Sequence, residues 1–358
     1  MFVPSVDLEA PAAGVDRQWV DTGTAPSSVF RRFVLPVAGL IVSGLCLWIA
    51  LRRVSFGDVR TSLEHASWIW LVPTLVATYL TLAVRAVRWR YLFSEPHRVP
   101  TWESAKALNI GLMFNNILPS RAGEVPRTFA LARRTGLSKV EVATTILVER
   151  LLDVLSIAIA GVVTLPWLPH RPWIHGLTLI CGALLAGFVI GGVLLWVLWR
   201  RARGLAEGLL RRLPYVSAAR AASVANSLGR GGRILKEPRR VALALLLSAL
   251  VWIVSGLAVV CLFPALHLSI SAASASLILV ATSLAMTVPS TSGALGVYEA
   301  AVLSSLVASG VANGPALSFA LVLHAVNFVP VSLTGALAAW AMVSRAGRGS
   351  DAGSATAA

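Results

Sequence analysis

The chain has 358 residues, a mean hydropathy of +0.76 and only 13% charged residues. Long apolar runs at that hydropathy exclude an ordinary soluble domain and indicate an all-α polytopic membrane protein. The net charge of +15 would suit nucleic acid, but the basic residues cluster between apolar runs without aromatic interleaving, as orientation signals do, so no nucleic-acid partner is expected.

Residues 1–30 mix Pro, Ala, Ser, Thr and a few acids without apolar periodicity and read as a disordered cytoplasmic tail. A long polar stretch before the first apolar run argues against a signal peptide. The membrane domain is expected over 31–344. Its first span is Phe33 to Leu51, followed by a short amphipathic segment at the interface up to Ala66. The second span is Trp68 to Arg90, with Trp68 and Trp70 at one interface and Arg85, Arg88 and Arg90 at the other.

Trp102 to Leu118 and Ala122 to Thr135 are too short and too polar for two spans. Pro119 and Gly123 break the helix between them, and both outer ends are charged. A re-entrant hairpin that dips in and returns to the same face accounts for all three features. Glu141 to Leu168 and His175 to Trp199 are further spans, and Gly187 and Gly191 in the latter allow close helix packing. Residues 200–240 carry the densest run of arginines, which places that segment in the cytoplasm. Val241 to Leu266 is a span, Ser271 to Val288 and Ala294 to Ser309 form a second broken pair around Pro289 and Gly293, and Ala316 to Val343 is the last span. Residues 345–358 read as a second disordered tail. Cys46, Cys181 and Cys261 stand singly in apolar runs without metal or disulfide spacing, and no cofactor is expected.

The two broken pairs correspond. Pro119-Ser120 answers to Pro289-Ser290, Gly136-Leu137 to Gly310-Val311, Arg150 to His324 and Asp153 to Asn327. The reading is about six transmembrane helices plus two re-entrant helical hairpins in an inverted-topology repeat of units 68–167 and 241–343. Both termini are then cytoplasmic in a plasma membrane; the Arg-, Ala- and Gly-rich composition suits a GC-rich bacterial genome. An arrangement of eight full spans is the alternative.

Ionisable groups at membrane depth are costly and usually face a polar cavity. The candidate substrate-binding residues are therefore Asn115, Asn116, Ser120, Arg121, Glu124, Arg127, Glu149, Arg150 and Asp153 around the first break, and Ser290, Ser292, Glu299 and His324 around the second. The second arm of each pair begins at the break, so its free N–H groups and positive dipole end suit an anion. Arginine adds a fork matched to phosphate. The alternative for the charged set is a structural ion-pair network. Asn115 and Asn116 serve equally to satisfy a broken helix end, and Glu299 to cap a helix. No catalytic metal, nucleophile or P-loop pattern is present; Glu149 with His324 is the one thin candidate for acid–base work.

The run NNILPSRAGE from Asn115 to Glu124, the Gly136-Leu137-Ser138 step, the run ERLLD from Glu149 to Asp153 and the run PSTSGALGVYE from Pro289 to Glu299 resemble the flippase-like membrane proteins named for the lysylphosphatidylglycerol synthase transmembrane region. The resemblance covers roughly residues 33–343. Two departures stand out: Ser290-Thr291-Ser292 replaces a Pro/Gly-rich turn, and His324 stands where the family often has arginine. The multiple peptide resistance factor couples such a membrane half to a soluble aminoacyl-transfer domain. Nothing after Val343 matches that domain, so the resemblance implies a stand-alone flippase-like unit and no enzyme. It implies movement of an anionic phospholipid or polyprenyl-linked headgroup, with membrane lipids as partners and a lipid-modifying enzyme or a second copy as further candidates. A non-transporting regulator of a lipid-modifying or glycosyl-transfer enzyme is the alternative.

Overall fold

A computed structural model describes residues 40–49, 51–52, 54–95, 98–118, 122–168, 171–211, 237–287 and 290–355. Among these the regular structure is helical throughout. We number the helices α1 (Leu40–Ile49), α2 (Phe56–Glu64), α3 (Leu71–Tyr91), α4 (Thr101–Ile117), α5 (Glu124–Thr135), α6 (Lys139–Thr164), α7 (Pro172–Arg211), α8 (Pro238–Leu262), α9 (Ala272–Ala285), α10 (Val297–Ala308) and α11 (Asn313–Ala355).

Among the described residues, four stretches are long and apolar enough to cross a membrane: Trp68–Tyr91, Pro172–Gly191, Pro238–Leu266 and Asn313–Met342. That is fewer than the six spans expected from sequence. α6 has the length, 26 residues, but carries Glu149, Arg150 and Asp153 in its middle. The first expected span is described only in part, as the helix Leu40–Ile49. The tail at 1–30 and most of the 200–240 segment lie outside the described residues. α7 runs on through the start of that segment to Arg211, and α11 continues past Val343 to Ala355.

Both breaks fall where the sequence places them. α4 and α5 have 17 and 12 residues, α9 and α10 have 14 and 12. At about 1.5 Å per residue a 12-residue arm reaches ~18 Å, short of a hydrocarbon layer of ~30 Å. α5 starts on Glu124, ends on Arg133 and Arg134, and stops at Gly136 in the left-handed region (φ 70°); this matches the helix dipole and its preferred cap. The matching Gly310 is also left-handed (φ 92°). Ser138 caps α6 by accepting from the Glu141 N–H at 3.1 Å.

The helix contacts repeat by exchange. The first helix of each unit, α3 and α8, lie along one another. The first arm of each broken pair packs on the last helix of the other unit, α4 on α11 and α9 on α6. Thr334 Oγ1 donates to Asn109 Oδ1 at 3.1 Å, and Gly335 lets α11 approach Met113 and the Asn109 backbone. Three larger apolar clusters, with a small one of Ala77, Val254 and Ala258 between α3 and α8, hold the assembly. One joins α2, α8, α9, α10 and α11; one joins the end of α3 to α4, α5, α6 and the start of α8; one joins α6, α7 and α9. Large apolar side chains such as Leu246, Ile253, Leu333 and Trp340 remain exposed on the perimeter, as lipid contact requires.

The glycine pair anticipated to pack closely meets no neighbour among the described residues. A Cβ on Gly187 or Gly191 would meet nothing within 4 Å. The close approach in this region is Gly161 of α6 against the Cys181 side chain of α7. At the open end of the first pair, Glu103 takes Lys106 at 2.9 Å and Arg134 at 3.3 Å. Burial pushes the Glu103 carboxyl up, but hydrogen bonds from Arg134 and Lys106 outweigh it and hold it below its ordinary value.

Candidate functional site

The charged residues of the first unit converge on one buried cluster. Glu149 and Asp153 lie four apart on α6 and Arg85 and Arg88 three apart on α3, so each pair shares a helix face. Arg88 Nη2 donates to Asp153 Oδ1 at 2.8 Å and to Glu149 Oε1 at 3.3 Å, while its Nη1 donates to Ser248 Oγ of α8 at 3.0 Å. Arg127 of α5 donates to Glu149 Oε2 at 2.6 Å, and its guanidinium lies over the Trp89 ring at 3.7 Å. Trp89 is fixed in turn by its Nε1–H to Thr145 Oγ1 at 3.1 Å. Exposure is 0% for Arg88, 2% for Arg127, 1% for Glu149 and 9% for Asp153, so the Coulomb attraction is strong and each charge depends on its partners.

Arg150 forms the open edge of the cluster. It donates to Glu124 Oε1 at 2.8 Å and to Asp153 Oδ2 at 3.4 Å, and both Arg150 and Glu124 are partly exposed. Arg85 is partly buried beside Arg88. Its Nε makes no hydrogen bond, and among the described residues no carboxylate pairs with it. The Nε atoms of Arg88 and Arg127 are also buried without a hydrogen-bond partner. The cluster thus sets four guanidiniums, of Arg85, Arg88, Arg127 and Arg150, against three carboxylates, of Glu124, Glu149 and Asp153.

Glycine makes this geometry reachable. A Cβ on Gly111 would come to 2.9 Å from Arg127 Cβ, so only glycine on α4 leaves room for that arginine. Gly123, at the start of α5, crosses the Gly111 carbonyl backbone to backbone. Its N–H donates to Asn115 Oδ1 at 2.8 Å, so Asn115 satisfies the broken helix end.

The second break builds a smaller cluster. Glu299 Oε2 accepts the Gly296 N–H at 2.6 Å, and its Oε1 meets His324 Nδ1 at 2.5 Å. The imidazole lies against Tyr298 (centroids 4.6 Å apart) and Phe328 (5.9 Å). Glu299 is therefore both a cap and the hydrogen-bond partner of His324. Among the described residues it makes no pair with the arginines of the first cluster, because the turn at Gly296 aims it at α11. Nor does His324 pair with Glu149, which is taken by Arg88 and Arg127. Among the described residues no hydrogen bond or ion pair joins the two clusters, and none brings three potential metal ligands together.

The two breaks nevertheless lie close. Asn116 Nδ2 donates to Ser332 Oγ at 2.8 Å, and a Cβ on Gly293 would be 3.6 Å from the Asn116 carbonyl oxygen. Ser290 and Ser292 stand partly buried on that turn. Ser120 and Arg121 lie outside the described residues. The turn also rests on α1, where Ser43 Oγ accepts the Thr291 N–H at 3.0 Å.

Sequence reasoning missed Arg85, Arg88, Trp89, Thr145, Ser248 and Ser43. The sequence places Arg85 and Arg88 as interfacial anchors; Arg88 is instead fully buried, because two acids of α6 face it. The available signal was their spacing, which sets both on one helix face.

The sequence matches the family model described as the lysylphosphatidylglycerol synthase TM region over residues 37–335. It is also similar to a UPF0104 membrane protein of Methanothermobacter thermautotrophicus. The two are 26% identical over 323 residues, spanning 87% of this chain and 93% of that protein.

Proposed function

The chain belongs to the lysylphosphatidylglycerol synthase transmembrane-region family, and from that premise we propose that it moves an anionic lipid headgroup across the plasma membrane. The observation that carries this reading is the arginine surplus: among the described residues four guanidiniums stand against three carboxylates, and none of the three lies within ion-pair distance of Arg85. A purely structural network would balance its charges, since an uncompensated buried cation is costly. A phosphate-bearing headgroup supplies the missing negative charge, and arginine receives it in a bidentate fork. The same chemistry fits a phospholipid and a polyprenyl-linked sugar. The headgroup would enter past the exposed edge formed by Arg150 and Glu124 while its tails stay in the bilayer, which avoids exposing its charge to hydrocarbon.

The short arms of both broken pairs support re-entrant hairpins whose turns meet near the midplane. The exchanged packing of α4 on α11 and α9 on α6 supports an inverted repeat, in which rocking one unit against the other opens the site to each face in turn. Cysteine-accessibility labelling of intact cells is expected to find residues 200–240 and both termini cytoplasmic and residues 168–174 and 265–270 external. External labelling of the 200–240 segment would overturn this topology.

The function is tested in proteoliposomes with fluorescent phosphatidylglycerol and bleaching of the outer leaflet. Arg85→Gln is expected to slow transport roughly tenfold or more, about 1.4 kcal/mol in the barrier, at unchanged folded yield, because among the described residues no hydrogen bond or ion pair ties Arg85 to another side chain. Transport at the parent rate would sink the anion-site reading and favour a regulatory membrane partner.

A further inference from the structure

The two units carry quasi-equivalent clips between the first turn of the second arm and the long helix that follows. In the first, Glu124 of α5 takes Arg150 of α6. In the second, Glu299 of α10 takes His324 of α11. Arg150 and His324 each stand 14 residues beyond a left-handed glycine, Gly136 and Gly310. The two clips differ in one chemical respect. Arginine keeps its proton at every physiological pH, whereas histidine is the side chain that exchanges one near neutrality.

We propose that the His324–Glu299 pair is a proton-binding site, and that one proton taken up there accompanies each anionic headgroup; this rests on the transport reading above. His324 Nδ1–H can donate to Glu299 Oε1 in either state, so protonation at Nε2 leaves that bond in place. What it changes is the charge of the pair, from minus one to zero. His324 is 8% exposed and Glu299 3%, so a net negative charge there is poorly screened and disfavours a second anion nearby. Glu299 is also anchored by the Gly296 N–H at the second turn, the turn that lies against the end of α4. The charge of the pair is thereby expressed at the junction of the two breaks.

Among the described residues, the groups around the pair leave it as the exchangeable site. α10 presents Glu299 and Tyr298, and α11 itself presents Asn327 and Phe328. α4 presents the uncharged Asn109 and Asn116 to α11, and α3 presents Tyr79, whose hydroxyl donates to the Pro330 carbonyl. α2 presents Asp58 at Gly314, ten residues back along α11 and so about 15 Å away. α1 and α8 carry the free thiols of Cys46 and Cys261; the first turn, 119–121, lies outside the described residues.

Because coupling between two ligands is reciprocal, a headgroup that binds better to the neutral pair must raise the pair's proton affinity. Headgroup affinity is then constant at low pH, falls by up to about tenfold per pH unit as the proton is lost, and levels off once the proton is absent even from the lipid-bound form.

The test uses the purified full chain with 15N-labelled histidine, titrated by NMR in nanodiscs of phosphatidylcholine and then of phosphatidylglycerol. The His324 signal is identified by its loss in His324→Gln. An anionic surface raises the midpoint of any histidine, so the exposed His65 and His175 report that common shift. His324 is expected to move further than either. In proteoliposomes carrying fluorescent phosphatidylglycerol, transport by the parent is expected to fall with rising pH, and His324→Arg, with its pair fixed at zero charge, is expected to transport with a flat profile. A His324 midpoint that moves no more than that of His175, or a parent-like pH slope in His324→Arg, overturns the proposal. Absence of lipid movement in the parent defeats the transport reading instead, while the titration still decides the linkage between proton and headgroup.

Discussion

Glu149→Ala is expected to remove most of the folded protein. Glu149 is the shared acceptor of Arg88 and Arg127, at 3.3 and 2.6 Å, and all three are nearly inaccessible. Without it Arg127 has no carboxylate partner among the described residues and Arg88 retains only Asp153. Breaking a buried ion pair from one side costs about 3–5 kcal/mol, a large part of a typical total stability of about 5–15 kcal/mol. Glu124→Ala is the contrast. Its pair with Arg150 is well exposed, with side-chain accessibilities of 45% and 38%, so its loss should cost about 1 kcal/mol or less. Thermal unfolding in detergent and the yield of monodisperse protein measure both. Equal loss in the two variants would mean that burial does not set the importance of these pairs.

The second large effect is expected at Gly123. A Cβ there would fall inside contact distance of the Gly111 carbonyl oxygen, and at 2.7 and 2.8 Å from Asn115 Oδ1 and N. Two of these three atoms belong to the backbone, so no rotamer change relieves the clash and α4 must separate from α5. Overpacking typically costs about 1–3 kcal/mol, and a backbone-on-backbone contact belongs at or above the upper end. The separation also withdraws Arg127 from Glu149. Gly123→Ala is therefore expected to lose both folded yield and transport, while Gly187→Ala, whose Cβ meets nothing within 4 Å, retains both. A stable, active Gly123→Ala would show that the first turn has slack that this packing does not suggest.

The sequence alone determined the helical character, the positions of both breaks and the correspondence between the two halves. The reason is that a bilayer admits little backbone other than helix, so Pro119, Gly123, Pro289 and Gly293 inside apolar runs can only be interruptions. Gly136 and Gly310 were legible for the same kind of reason, since left-handed helix ends favour glycine. The cost of charge at membrane depth also marked Arg127, Glu149, Arg150 and Asp153 as candidates. Which helix lies opposite was decided only by the tertiary structure. A periodic pattern tells which face a residue occupies, not what covers that face. Arg85 and Arg88 near a span end therefore read equally well as interfacial anchors until α6 was found packed against them. In the same way Glu299 was equally a cap or a site acid until Gly296 and His324 were both found on it. The packing of α4 on α11 and of α9 on α6, and of α1 on the second turn, involves residues more than 100 positions apart. No local rule connects them, because such contacts are chosen by the shape and charge left over when every helix has buried what it can.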